Sequence, residues 1–101
     1  MSDYLVEFHA EASEDADAAY IWYELQQSGL GERFLKEVWQ KIGVIIDAPQ
    51  LFSSKTRKEY REAKVNDFPY IVVYKIYLRK KIVLISAIHH EKMSPGKKYR
   101  K

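Results

Sequence analysis

Two long apolar runs in the second half of this chain limit its fold more than any other feature. Tyr70-Ile71-Val72-Val73-Tyr74-Lys75-Ile76-Tyr77 and Ile82-Val83-Leu84-Ile85-Ser86-Ala87-Ile88 are rich in β-branched and aromatic residues and apolar at successive positions. Strand side chains alternate between faces, so such runs bury both faces and belong in the middle of a sheet. Arg79-Lys80 supplies a turn between them, and Asn66-Asp67 a second turn back to Tyr60 to Val65, a short mixed segment suited to a sheet edge. The three segments predict an antiparallel meander.

The first half reads differently. Tyr4, Val6 and Phe8 alternate with polar neighbours, which predicts a half-buried strand. Ser13 followed by Glu14, Asp15 and Asp17 has the character of a helix start, a hydroxyl cap with acids at the positive end of the dipole. The helix is expected to run to about Gln27. Ala12, Ala16, Ala19, Tyr20 and Tyr23 form its packing stripe, and Ile21, Trp22 and Leu25 widen that stripe to two sides. Ser28-Gly29-Leu30-Gly31 breaks it, and a second helix is expected from about Glu32 to Asp47, apolar at Phe34, Leu35, Val38, Ile42, Ile45 and Ile46. Pro49 stops it, and Gln50 to Lys58 reads as a loop. The resulting fold class is α+β: one domain over residues 1–101, a helical hairpin packed on an antiparallel sheet of about four strands, in the order β-α-α-β-β-β.

Charge is divided as sharply as structure. Residues 1–50 carry three basic and ten acidic groups, a net −7, and residues 51–101 carry fourteen and four, a net +10. A positive field of that kind suits RNA, DNA or an acidic protein partner, although part of it is ordinary solubilising charge. There is no cysteine, which removes disulfides and thiolate metal sites. No apolar run is long enough to cross a bilayer. The opening Met1-Ser2-Asp3-Tyr4 lacks the basic and apolar regions of a secretion signal, so a cytoplasmic protein without membrane contact is expected. Of the three histidines, His89 and His90 are adjacent and would point to opposite faces of a strand, a poor start for a metal site. Gly29-Leu30-Gly31 joins two helices, so it is not a dinucleotide loop.

Several short motifs follow one another in a recognisable order. An alanine- and tyrosine-rich first helix ends in Gly29-Leu30-Gly31, and the second closes at Asp47-Ala48-Pro49. Arg61-Glu62-Ala63 is followed by Phe68-Pro69-Tyr70 running into Val73-Tyr74, and then by Ala87-Ile88-His89-His90 and Pro95. In this order and chain length the sequence resembles the RelE/ParE toxins of bacterial type II toxin–antitoxin pairs, in particular the plasmid-stabilisation, ParE-like subgroup. The resemblance spans nearly the whole chain. It implies a growth inhibitor neutralised by a cognate antitoxin, with no cofactor, touching DNA only through that antitoxin, and it leaves a homodimer open. Two activities occur among such proteins: RelE-like members cut messenger RNA in the ribosome, and ParE-like members inhibit DNA gyrase. A member that has lost toxicity and only binds its antitoxin is a third outcome.

RNA cleavage needs a base for the ribose hydroxyl, cations for the charge developing on phosphorus, and an acid for the leaving oxygen. The RelE-like pattern carries a catalytic arginine after the aromatic residue that opens the third strand; here that place is Ile71. Losing one preorganised charge of this kind costs about 10²–10³ in rate, which favours the gyrase reading. The resemblance places His90 where the nuclease pattern has a basic residue or histidine, with the capping of a strand end as its structural alternative. A variant nuclease site would comprise His90, Arg61, Lys92 and Tyr99. Tyr99 would either stack on a base or pin the tail to the sheet. Arg61 shares a face with Ala63 and Val65, where it would either form a salt bridge or contact a phosphate or partner. Lys55, Arg57, Lys58 and Lys64 would deepen a positive cleft beside it, and His89, Lys97, Lys98 and Arg100 would extend that surface through the tail.

Overall fold

The computed structural model describes residues 3–54, 59–93 and 99. The elements are β1 (Leu5–Phe8), α1 (Ala10–Gln26), α2 (Leu30–Asp47), β2 (Arg61–Lys64), β3 (Tyr70–Tyr77) and β4 (Ile82–His90). They form one sheet in the order β1-β4-β3-β2, with both helices on one side of it. The two apolar runs are the central strands, and Arg61–Lys64 lies at an edge. The meander is antiparallel, whereas β1 pairs with β4 in parallel, Leu5 opposite Ile82 through Phe8 opposite Ile85. The sheet is therefore mixed. Alternation in β1 defines its buried face but carries no information on the direction of its neighbour.

β4 carries a bulge. Val73 pairs with Ala87 and Tyr74 with Ile85, so Ser86 is the extra residue. This insertion lets both Ile85 and Ile88 join the core beneath the helices, together with Phe34, Val38, Ile42, Ile45, Val72, Tyr74 and Val83. Tyr23, Phe34, Phe68 and Tyr70 pack with ring centroids 5.0–6.2 Å apart, joining both helices to the β2–β3 turn and to β3. Such pairs add about 0.5–1.5 kcal/mol beyond their buried area. The buried Tyr74 hydroxyl donates to the Pro49 carbonyl at 2.6 Å and ties β3 to the end of α2.

The helix ends depart from the sequence expectation. α1 begins before Ser13, capped by His9, whose Nδ1 accepts the Glu11 N–H at 3.1 Å. Asp15 also serves a tertiary purpose, its carboxylate accepting the Ile88 N–H at 3.1 Å beyond the reach of β1. Ile21, Trp22 and Leu25 do not make a second packed side. They are exposed, Trp22 at 60% and Leu25 at 78%, because the one layer available to α1 lies on its other side.

The hairpin between the helices has a specific clamp. Gly29 adopts φ +89° and caps α2 without a side chain. Glu24 of α1 supplies the missing acceptor: its carboxylate takes the N–H groups of Gly31 at 2.8 Å, Gly29 at 3.1 Å and Glu32 at 3.4 Å. These bonds hold its pKa below the ordinary value, against a smaller opposing effect of desolvation. A side chain at Gly31 would bring its Cβ to 2.6 Å from the Tyr20 carbonyl oxygen and 2.7 Å from Glu24 Cγ.

Two outcomes follow for stability. Gly31→Ala forces the helices apart and is expected to cost about 1–3 kcal/mol in chemical denaturation. Glu24 titrates lower in the folded than in the unfolded chain, so its contribution is present above the unfolded carboxylate pKa and is lost as pH falls through the folded one. The melting temperature of Glu24→Gln should lie below that of the parent at neutral pH, with the gap closing in acid.

Candidate functional site on the helix-free face of the sheet

Strand alternation divides the second half of the chain between two surfaces. On β2, Arg61 and Ala63 stand opposite Tyr74 and Val72, on the helix side, while Glu62 and Lys64 stand opposite Val73 and Ile71, facing away. On β4, beyond the bulge, Ala87 and His89 pair with Val73 and Ile71 on the helix-free face. Ile88 and His90 pair with Val72 and Tyr70 on the helix side.

The helix-free face has a small core of its own. Tyr60, Val73 and Ala87 are buried there, with Ile71 and Tyr99 packed against them. Tyr99 lies on Tyr60 with ring centroids 4.9 Å apart, and its hydroxyl donates to the Glu62 carboxylate. Burial foremost, then this hydrogen bond and the negative charge of Glu62, push the Tyr99 pKa up to about 12. The phenol is thus held as a donor across the neutral range. Lys75 Nζ sits 5.1 Å from the centre of the Tyr60 ring. Lys64 Nζ is turned to the β2–β3 turn, donating to the Phe68 carbonyl at 2.6 Å and the Val65 carbonyl at 3.1 Å. His89 is 6% exposed in register with Ile71.

The structure thus places Tyr99, Lys64 and His89 on one face. It does not bring His90 and Arg61 to them. Those two lie on the helix side, opposite Tyr70 and Tyr74, four positions apart on β3 or ~13 Å along the strand. His90 packs edge-on against Tyr70, centroids 5.0 Å apart, and its Nδ1 accepts the Lys92 N–H at 3.0 Å, bracing the turn in which the exposed Lys92 lies. Arg61 donates to the Phe52 carbonyl, a main-chain acceptor in place of the carboxylate that a salt bridge requires. Lys55, Arg57, Lys58, Lys97, Lys98 and Arg100 lie outside the described residues. No group of three metal-ligating side chains occurs among the described residues.

Strand alternation puts Glu62 on the face of Lys64, as the sequence implies, but its hydrogen bond with Tyr99, a residue 37 positions away, is not legible from local spacing. In an alkaline NMR titration of ring signals, Tyr99 should ionise near pH 12. Glu62→Gln should lower that midpoint while leaving it above the ordinary tyrosine value, because burial is the larger cause.

Comparison with known proteins agrees with this architecture. The family model described as the ParE toxin of the type II toxin–antitoxin system, parDE, matches residues 6–95. No curated protein matches the chain by sequence. Among solved structures, one titled as the chromosomal ParDE toxin–antitoxin system from P. aeruginosa superposes with a TM-score of 0.75 at 13% identity, covering 86% of this chain and 95% of that one. A double mutant of the E. coli toxin RelE in the free state superposes with a TM-score of 0.68 at 17% identity, covering 91% and 86%. At these identities the two structures speak for the fold alone. The family match extends over nearly all of the sheet and both helices, and the chain belongs to the ParE toxin family of type II toxin–antitoxin systems.

Proposed function

We propose that this protein arrests growth by binding DNA gyrase in the bacterial cytoplasm, without bond-breaking chemistry of its own, and that its cognate antitoxin masks it and supplies any contact with DNA. The observation that carries this reading is the make-up of the helix-free face. Ile71, an aliphatic residue, sits between Lys64 and His89 across three paired strands. Its flanking groups are already engaged: the Lys64 ammonium on two main-chain carbonyls, and the Tyr99 phenol on Glu62. Phosphoryl chemistry depends on cations aimed at the developing charge, each worth about 10²–10³ in rate. Ile71 offers none.

Ribosome-dependent messenger RNA cleavage is the second reading. In its favour, Glu62, Lys64, His89 and Tyr99 share one face. The set of His90, Arg61, Lys92 and Tyr99 would instead require groups from both sides of the sheet to act on one phosphate.

Induction of the protein in growing cells separates the two. Gyrase-linked DNA breaks with intact transcripts are expected. Codon-phased transcript cleavage that disappears in His89→Ala or His90→Ala would overturn the gyrase proposal.

A further inference from the structure

A concavity lies at the end of the β3–β4 hairpin, near the segment that follows α2. It encloses about 570 Å³, a size common for sites that hold a small molecule or a few peptide side chains. Arg61 and Ile76 line it from the sheet, Tyr77 and Leu78 from the end of β3, and Arg79 and Lys80 from the turn. Glu59 is its one acidic lining residue, so cations outnumber acids three to one.

Two features suit this cleft to a ligand. Arg61 is held in place, one arm donating to the Phe52 carbonyl, while its ladder partner Tyr74 is itself anchored on Pro49. A guanidinium has five N–H donors, so a fixed Arg61 retains donors for an incoming carboxylate with little further loss of side-chain freedom. Leu78 is 56% exposed and Tyr77 39%, an apolar surface beside the charge.

We propose that the cleft binds an acidic, extended peptide segment of a protein partner, with a carboxylate on Arg61 and the turn cations and an apolar side chain two positions away against Ile76 and Leu78. The spacing follows from strand geometry, in which residues i and i+2 face the same side. A peptide is favoured over a nucleic acid because aliphatic walls gain nothing from a phosphodiester backbone, whereas they bury a leucine or valine side chain. The inference concerns the helix side of the hairpin and stands apart from the choice between gyrase and ribosome.

The test uses the full chain and a fluorescein-labelled peptide in which glutamate, leucine and glutamate occupy alternate positions between serines. Saturable binding by anisotropy is expected, with NMR shifts at Ile76 and Leu78. The double variant Arg79→Glu/Lys80→Glu, exposed in the turn, should weaken binding about tenfold or more while its melting temperature stays near that of the parent. A peptide with glutamine for glutamate should bind more weakly by a similar factor. Absence of binding, equal binding of the glutamine peptide, or shifts confined to the helix-free face would overturn the proposal. So would tighter binding of an oligothymidylate at the same residues, or a concentration-dependent dimer abolished by the double variant, which would assign the cleft to nucleic acid or to a second copy of the chain.

Discussion

The antiparallel ladder between Tyr70–Tyr77 and Ile82–His90 has a neighbour strand on each side and side chains packed above and below. Its bulge at Ser86 shifts the alternation of β4 by one residue. Upstream, Val83 and Ile85 point to the helices; downstream, Ile88 and His90 do so, and Ala87 and His89 are left to the opposite face. A ladder without the extra residue would reverse the two histidines. The placement of every charged or titratable group near the end of β4 depends on that one insertion.

The helical hairpin rests on this ladder through short-range constraints. Glu24 caps the second helix from the first, and the absence of a side chain at Gly31 lets the Tyr20 carbonyl approach closely. The ring cluster of Tyr23, Phe34, Phe68 and Tyr70 then fixes the pair over the β2–β3 turn. Arg33 and Asp67 form an ion pair at 3.2 Å in the same region, but both are more than half exposed, so the aromatic packing above them carries more of the stability. With both helices on one side, the outer surface of α1 is left apolar at Ile21, Trp22 and Leu25.

The same division sorts the basic half by chemistry. On the helix-free face, Lys64, Lys75 and Tyr99 are each engaged with carbonyls, a ring or a carboxylate. At the hairpin end, Arg61 joins Arg79 and Lys80 around a cleft with apolar walls. Positive charge that looks continuous in sequence is thus divided between two surfaces with different neighbours.

Periodicity and composition alone determined the element order, the central position of the two apolar runs, the edge position of Arg61–Lys64 and the core face of α2, because those depend on local spacing and on how much apolar surface must be buried. The ordered motifs from Gly29-Leu30-Gly31 to His89-His90 carried the family. Tertiary structure decided the rest. The parallel pairing of β1 needed a partner 77 positions away, Leu5 against Ile82, and the cap of α2 needed a carboxylate from another helix. The exposure of Trp22 depended on which side of α1 the sheet would occupy. The separation of His90 from Tyr99 followed from strand parity across a bulge that no local pattern marks, whereas alternation along β2 had already put Arg61 on the face of Ala63. Long-range pairing chose among faces that the sequence had made equally apolar, and that choice decided which side chains share a surface.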